Sequence, residues 1–227
     1  MLLLPTIDLS AQDGPEFPDT LLFGAPVQVR HVRTLDSLGT VTAELRELQA
    51  KLVVLNDAWY GRVYTLAVAA GNGYDLYPIL GNERLDDVQL SAADIRGNGQ
   101  LQMVVRTMTY AGHTGWEHAI HERDWAVQVW DLQQRRTLLD MPTGHSHQEW
   151  TNTWAPDSTG LIPYEERTLL SSEGELSCEM TEVGFGPGTM TMVRTDDCPE
   201  LDDHEPIPVN ERVVVRYALR KIAWVKQ

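Results

Sequence analysis

Lysine is scarce in this chain: it occurs only at Lys51, Lys221 and Lys226, and all basic residues number 18 against 33 acidic ones. The formal charge of -15 repels phosphate backbones and anionic headgroups, so nucleic acid and membrane surfaces are poor partners. No apolar run approaches the roughly 18 residues a membrane helix needs, so no membrane insertion is expected. The common catalytic signatures are also missing: there is no GxSxG, no P-loop, no GxGxxG opening a helix, and no Cys with a convincing His partner in sequence. The acidic doublets Asp86-Asp87, Glu165-Glu166, Asp196-Asp197 and Asp202-Asp203 are expected in solvent, because glycosidase carboxylates face each other across a cleft instead of sitting side by side.

What is present is apolar and aromatic. Hydrophobic residues make up 42% of the chain, and 7 Trp and 7 Tyr supply large rings for a core. Residues 27–34 (VQVRHVRT) alternate apolar and polar side chains, the period of a half-buried strand, and place His31 on the polar side. Residues 62–69 (RVYTLAVA) repeat the pattern and run into Gly71-Asn72-Gly73, a hairpin turn. Residues 40–55 (TVTAELRELQAKLVVL) fit a helical stripe and a strand alike in their first part, with a lean to strand. Short strands at regular spacing predict a mainly β protein of antiparallel sheets, as a sandwich, barrel or propeller-like sheet, with at most one or two short helices. Residues 1–26 read as a flexible N-terminal entry and 27–227 as a single β-rich domain.

Between the strand-like stretches 88–92 and 101–108 lies DIRGNGQLQ, residues 94–102. With WAVQVWDL at 125–132, it resembles the calcium-loop hairpin of FG-GAP repeats in integrin-type propellers, over about residues 88–140. The resemblance implies a cation held by oxygens at alternate positions of D-x-[DN]-x-[DN]-G-x-x-[DE]. Asp94 and Asn98 match. Arg96, however, stands where an oxygen ligand is expected, and Gln102 replaces the last carboxylate. A guanidinium repels a cation, so the hairpin is expected to keep its turn without calcium.

Six of the seven histidines follow residue 110. His118 and His121 (EHAIHE) and His145 and His147 (GHSHQE), with Glu122 or Glu149, have the donor types for zinc, although their spacing matches no zinc signature. The opposing expectation places these histidines in long loops, 111–124 and 143–148, where Tyr110, His113, Trp116, Trp150 and Trp154 form an aromatic, ligand-binding rim.

Cys178 and Cys198 would close a loop of about 20 residues, a constraint of roughly 3 kcal/mol if they are bonded. Such a bond belongs to an oxidising compartment. The start of the chain lacks the positive n-region of a signal peptide, while residues 11–18 (AQDGPEFP) read like the entry to a mature exported domain. Localisation is therefore expected to be extracytoplasmic (periplasmic or secreted), with the signal sequence not present in this chain. Three functional expectations follow. The first is a non-enzymatic bacterial β-domain binding a protein or glycan; the second is a zinc-dependent hydrolase; the third is an acidic immunity or inhibitor-type protein that masks a basic partner.

Overall fold

The computed structural model describes residues 20–22, 28–55, 63–79, 85–157, 163, 166–195, 213–220 and 223–227. These residues form two antiparallel sheets. The smaller runs β2-β6-β5-β4-β3, built from β2 (Arg30–Val32), β3 (Gly39–Leu45), β4 (Ala50–Leu55), β5 (Val63–Ala70) and β6 (Gly73–Pro78). Residues 40–55 are thus two strands joined by a single 3-10 turn at Arg46–Leu48, with Gln49 in the left-handed region closing it. The physical reason lies in β4, whose Leu52 and Val53 are buried in different clusters on opposite faces, which a one-sided helical stripe cannot satisfy. The Gly71-Asn72 turn joins β5 to β6 as its sequence requires, with Gly71 at a φ of 56°.

The larger sheet runs β1-β14-β13-β12-β11-β10-β9-β8-β7. Its strands are β1 (Thr20–Leu22), β7 (Leu85–Ala93), β8 (Gln102–Thr114), β9 (His118–Asp131), β10 (Arg136–Trp154), β11 (Leu169–Gly186), β12 (Thr189–Thr195), β13 (Val214–Arg220) and β14 (Ala223–Lys226). Alternation along β8 and β9 divides two cores between the faces of this sheet. Met103, Val105 and Trp130 pack on the small sheet with Leu52, Leu66 and Tyr77. Val104, Val127 and Val129 pack on the opposite side against Val183, Met190, Met192, Val215, Tyr217 and Trp224. The sheet therefore folds back on itself. Three hydrogen bonds across the fold hold the halves together: Arg106 Nη2 to the Val183 carbonyl at 2.9 Å, the Gly188 amide to the Ile95 carbonyl at 2.9 Å, and Trp224 Nε1 to the Leu138 carbonyl at 3.1 Å. It does not close into a barrel, because β1 and β7 end the sheet and are not bonded to each other.

Several expectations change. Of residues 111–124 only 115–117 are a turn; 111–114 are the end of β8 and 118–124 the start of β9, and 143–148 lie within β10. Met141-Pro142-Thr143-Gly144 carries a proline and a glycine that are expected to break a strand; it is instead a β-bulge, visible as a register shift between Pro142 and Gly144, within a strand that continues to Trp154. A bulge absorbs the extra residue and re-aims the strand without ending its ladder. Thr20–Leu22, assigned to the N-terminal entry, pair with β14. Residues 195–208 (TDDCPELDDHEPIP), whose composition is that of an acidic loop, lie outside the described residues from 196 onward, as do 161, 162, 164 and 165 of the strand-like stretch 161–170.

Candidate functional site

The 94–102 loop closes on itself. Asp94 Oδ1 accepts the Asn98 amide at 3.1 Å and Oδ2 the Gly99 amide at 2.8 Å, while Gly97 and Gly99 take positive φ to make the turn. Gln102 Oε1 accepts the Ile95 and Arg96 amides at 2.9 and 3.2 Å. Arg96 points to Asp131, with Nε 3.0 Å and Nη2 2.8 Å from Oδ2. The two side chains that depart from a calcium loop thus serve the backbone and an ion pair, so the turn is held by its own donors and acceptors.

Beyond the bulge, β8, β9, β10 and β11 extend as a four-stranded arm whose faces follow from the register. His118, Ile120, Glu122 and Asp124 of β9 stand opposite Thr151, Glu149, His147 and His145 of β10. Those β10 residues stand in turn opposite Glu173, Glu175, Ser177 and Glu179 of β11. His113 joins this face through Ile120. The other face carries Tyr110, His121, Arg123, Trp150 and Leu176.

The first face is a ladder of imidazoles and carboxylates. His118 Nε2 lies 2.7 Å from Glu149 Oε1, His147 Nε2 3.5 Å from Glu149 Oε2, His147 Nδ1 3.3 Å from Glu122, and His145 Nδ1 2.8 Å from Asp124. These are successive pairs along the ladder. Among the described residues no three His, Cys, Asp or Glu side chains are placed to hold one metal ion. The expected zinc set is divided: His121 lies on the opposite face, and His145 is committed to Asp124, which had not been singled out. A period of two is responsible for His121, which is three positions from His118 and so faces the other side, whereas His145 and His147 are two positions apart and share a face.

Glu149 is held below the ordinary glutamate range, first by the hydrogen bond from His118 and next by that from His147. A carboxyl with a lowered folded value favours the folded arm above the unfolded glutamate value, and that contribution fades as pH falls through the lowered value. In a pH titration followed by carboxyl NMR, Glu149 is expected to titrate below the ordinary glutamate range, and His118→Ala to move it back up toward that range. An unmoved Glu149 in that variant would contradict the assignment of cause.

The second face is aromatic. Tyr110 and His121 meet edge to face at 5.7 Å, His121 and Trp150 at 5.5 Å, and Arg123 sits 5.4 Å over the Tyr110 ring. Tyr110 Oη also lies 3.2 Å from His121 Nδ1. Two glycines give these rings room. A Cβ on Gly112 would stand 2.2 Å from Tyr110 Oη, and one on Gly174 would stand 2.7 Å from Trp150 Cδ1. At the tip, Trp116 and Trp154 form a second edge-to-face pair at 6.2 Å, and Trp154 Nε1 donates to the Trp116 carbonyl at 2.7 Å. His113, Trp116 and His118 line a cleft of about 300 Å³ there.

Of the residues expected to bind ligand, Tyr110 and Trp150 are thus joined through His121, Trp116 pairs with Trp154, and His113 meets Trp116 at the tip. His121 had been counted with the metal set, and Gly112 and Gly174 had not been singled out. Their signal was available, since a strand-interior glycine marks a close approach. Cys178 is not a free thiol, whereas Cys198 lies outside the described residues. No protein-family model, curated protein or solved structure matches this chain.

Proposed function

We propose that this protein is a non-enzymatic, extracytoplasmic binding domain whose projecting arm carries the contact surface for a protein or glycan ligand. The observation that supports this reading most is the placement of partly exposed aromatic rings on a rigid four-stranded arm: Tyr110 and Trp150 on one face, Trp116 and Trp154 at the tip. Rings held by cross-strand contacts lose little conformational freedom on binding, which is why aromatic side chains dominate recognition surfaces. Trp116 remains 47% exposed, large for a tryptophan that nothing draws to the surface.

Trp150→Ala and Trp116→Ala are expected to weaken capture of a ligand found by glycan-array or pull-down screening by about tenfold or more each, the scale of an interface anchor. Melting temperature should stay nearly constant, because both rings are partly exposed. Unchanged capture in both variants rejects the aromatic surface; turnover in hydrolase panels rejects the non-enzymatic reading. Export carries its own test: intact-mass analysis of native protein under non-reducing conditions is expected to find Cys178 bonded to Cys198. Two alkylatable thiols in that material argue for a reducing compartment and against export.

A further inference from the structure

The tip of the arm is held by backbone carbonyls instead of by the tryptophan it displays. In the β8–β9 turn the Gly115 amide donates to the His118 carbonyl at 2.9 Å, and the Glu117 carbonyl accepts the Asn152 amide of β10 at 2.8 Å. The Trp116 carbonyl accepts both Asn152 Nδ2 at 3.2 Å and Trp154 Nε1 at 2.7 Å. A carbonyl is common to every residue, so these bonds fix the turn without requiring an indole at position 116. Trp116 nevertheless stands there 47% exposed, its ring oriented by the edge-to-face contact with Trp154.

The chemistry around that ring is polar. His113, Gly115, Glu117 and His118 line the tip cleft with Trp116, which is the only apolar side chain among these described residues. Gly115 leaves room beside His113: a Cβ there would stand 3.3 Å from His113 Nε2 and 3.0 Å from the His118 carbonyl. Glu149 lies below the ordinary glutamate range and is a carboxylate at neutral pH, so it accepts from His118 Nε2–H at 2.7 Å; neutral His118 then keeps Nδ1 as an acceptor.

Imidazole and carboxylate groups beside one flat ring suit a pyranose, which offers a face of C–H groups to stack and a rim of hydroxyls that both donate and accept. A protein anchor site differs, because its central ring sits among apolar contacts that exclude water. At about 300 Å³ the cleft is at the small end of ligand sites, the scale of a glycan's terminal residues. Glu117 and the formal charge of -15 select against acidic sugars.

We propose that the tip cleft binds a neutral saccharide, with a pyranose face stacked on Trp116 and its hydroxyls bonded to His113, Glu117 and His118. This deepens the reading of the arm as the binding element and rests on it, committing the tip to a glycan where that reading allows a protein.

The probes are cellotriose, mannotriose, galactotriose and tri-N-acetylchitotriose, with trigalacturonic acid as the charged counterpart, each added to the full chain and followed by proton–nitrogen NMR. At least one neutral trisaccharide is expected to bind with a Kd of about 1 mM or tighter, shifting the Trp116 indole and the amides of 113–118, while trigalacturonic acid leaves them unmoved. Trp116→Leu, which keeps an apolar side chain and loses the flat ring, is expected to weaken that sugar by about tenfold or more, and Trp116→Phe by less. The Asn152 amide, bonded to the Glu117 carbonyl, reports whether each variant keeps the turn.

No shift with any neutral trisaccharide overturns the proposal, as do equal binding of trigalacturonic acid, shifts centred away from 113–118 in the unaltered chain, and undiminished binding in Trp116→Leu. A protein ligand captured through Trp116 or Trp150, with no sugar bound, overturns the saccharide and leaves the aromatic surface standing. The absence of any sugar or protein ligand that depends on Trp116 or Trp150 overturns both readings.

Discussion

Trp224→Ala is expected to lower the unfolding free energy by about 3–5 kcal/mol, the scale for truncating a fully buried tryptophan. The ring is 0% exposed and belongs to the core that joins β8–β10 to β11–β14, beside Phe185 at 6.4 Å between ring centroids. Its Nε1 donates to the Leu138 carbonyl at 3.1 Å, so truncation removes apolar contacts and leaves a buried acceptor unpaired. Trp224→Phe separates the two effects by keeping most of the contact area. It should cost less, with about 1 kcal/mol of the loss due to the missing hydrogen bond. Urea unfolding followed by circular dichroism measures both. If Trp224→Ala shifts the transition by less than an exposed-residue control, the fold-back of the large sheet does not depend on this core.

Asp131→Ala is expected to cost about 3 kcal/mol, the lower part of the range for breaking a buried ion pair. The Asp131 side chain is 7% exposed; Oδ2 takes Arg96 and Oδ1 accepts the Gln134 amide at 2.9 Å in the β9–β10 turn. Removing it orphans a turn amide and leaves a guanidinium that is 22% exposed with Gln134 as its remaining partner, at 3.0 Å. Because the residual charge is part of the penalty, Asp131→Ala with Arg96→Met should cost less than the sum of the two single changes. Simple additivity in thermal and urea unfolding rejects coupling between the 94–102 loop and the β9–β10 turn. A positive result explains Arg96 directly, since the cation that disqualifies the loop for calcium is the one that ties two hairpins together.

The strands with strict alternation or a glycine turn were readable, because a period of two and a positive-φ residue are local facts. Residues 63–78 folded as their pattern required, with Gly71 at the turn. The arm was not readable in the same way. Stretches such as EHAIHE and GHSHQE are polar on both faces because the arm projects beyond the cores, so they lack the apolar alternation that marks a half-buried strand. Polarity therefore looked like loop. Pro142, a residue that removes a ladder donor, reinforced the error, and the bulge at that point accommodates it.

What the chain determines alone is class: scarce Lys, excess acid, abundant Trp and Tyr, and short alternating segments are enough for an acidic, antiparallel β protein. Which histidine meets which carboxylate, and which rings share a face, was decided by register. A shift of one residue between β9 and β10 would move His118 from Glu149 to the aromatic side, and nothing local in either strand forbids it. The register is held elsewhere, by the buried rows of Val104, Val127, Val129 and Trp130 that fix β8 and β9 between two cores. The polar arm inherits its alignment from those rows, so its two faces are a property of the tertiary structure.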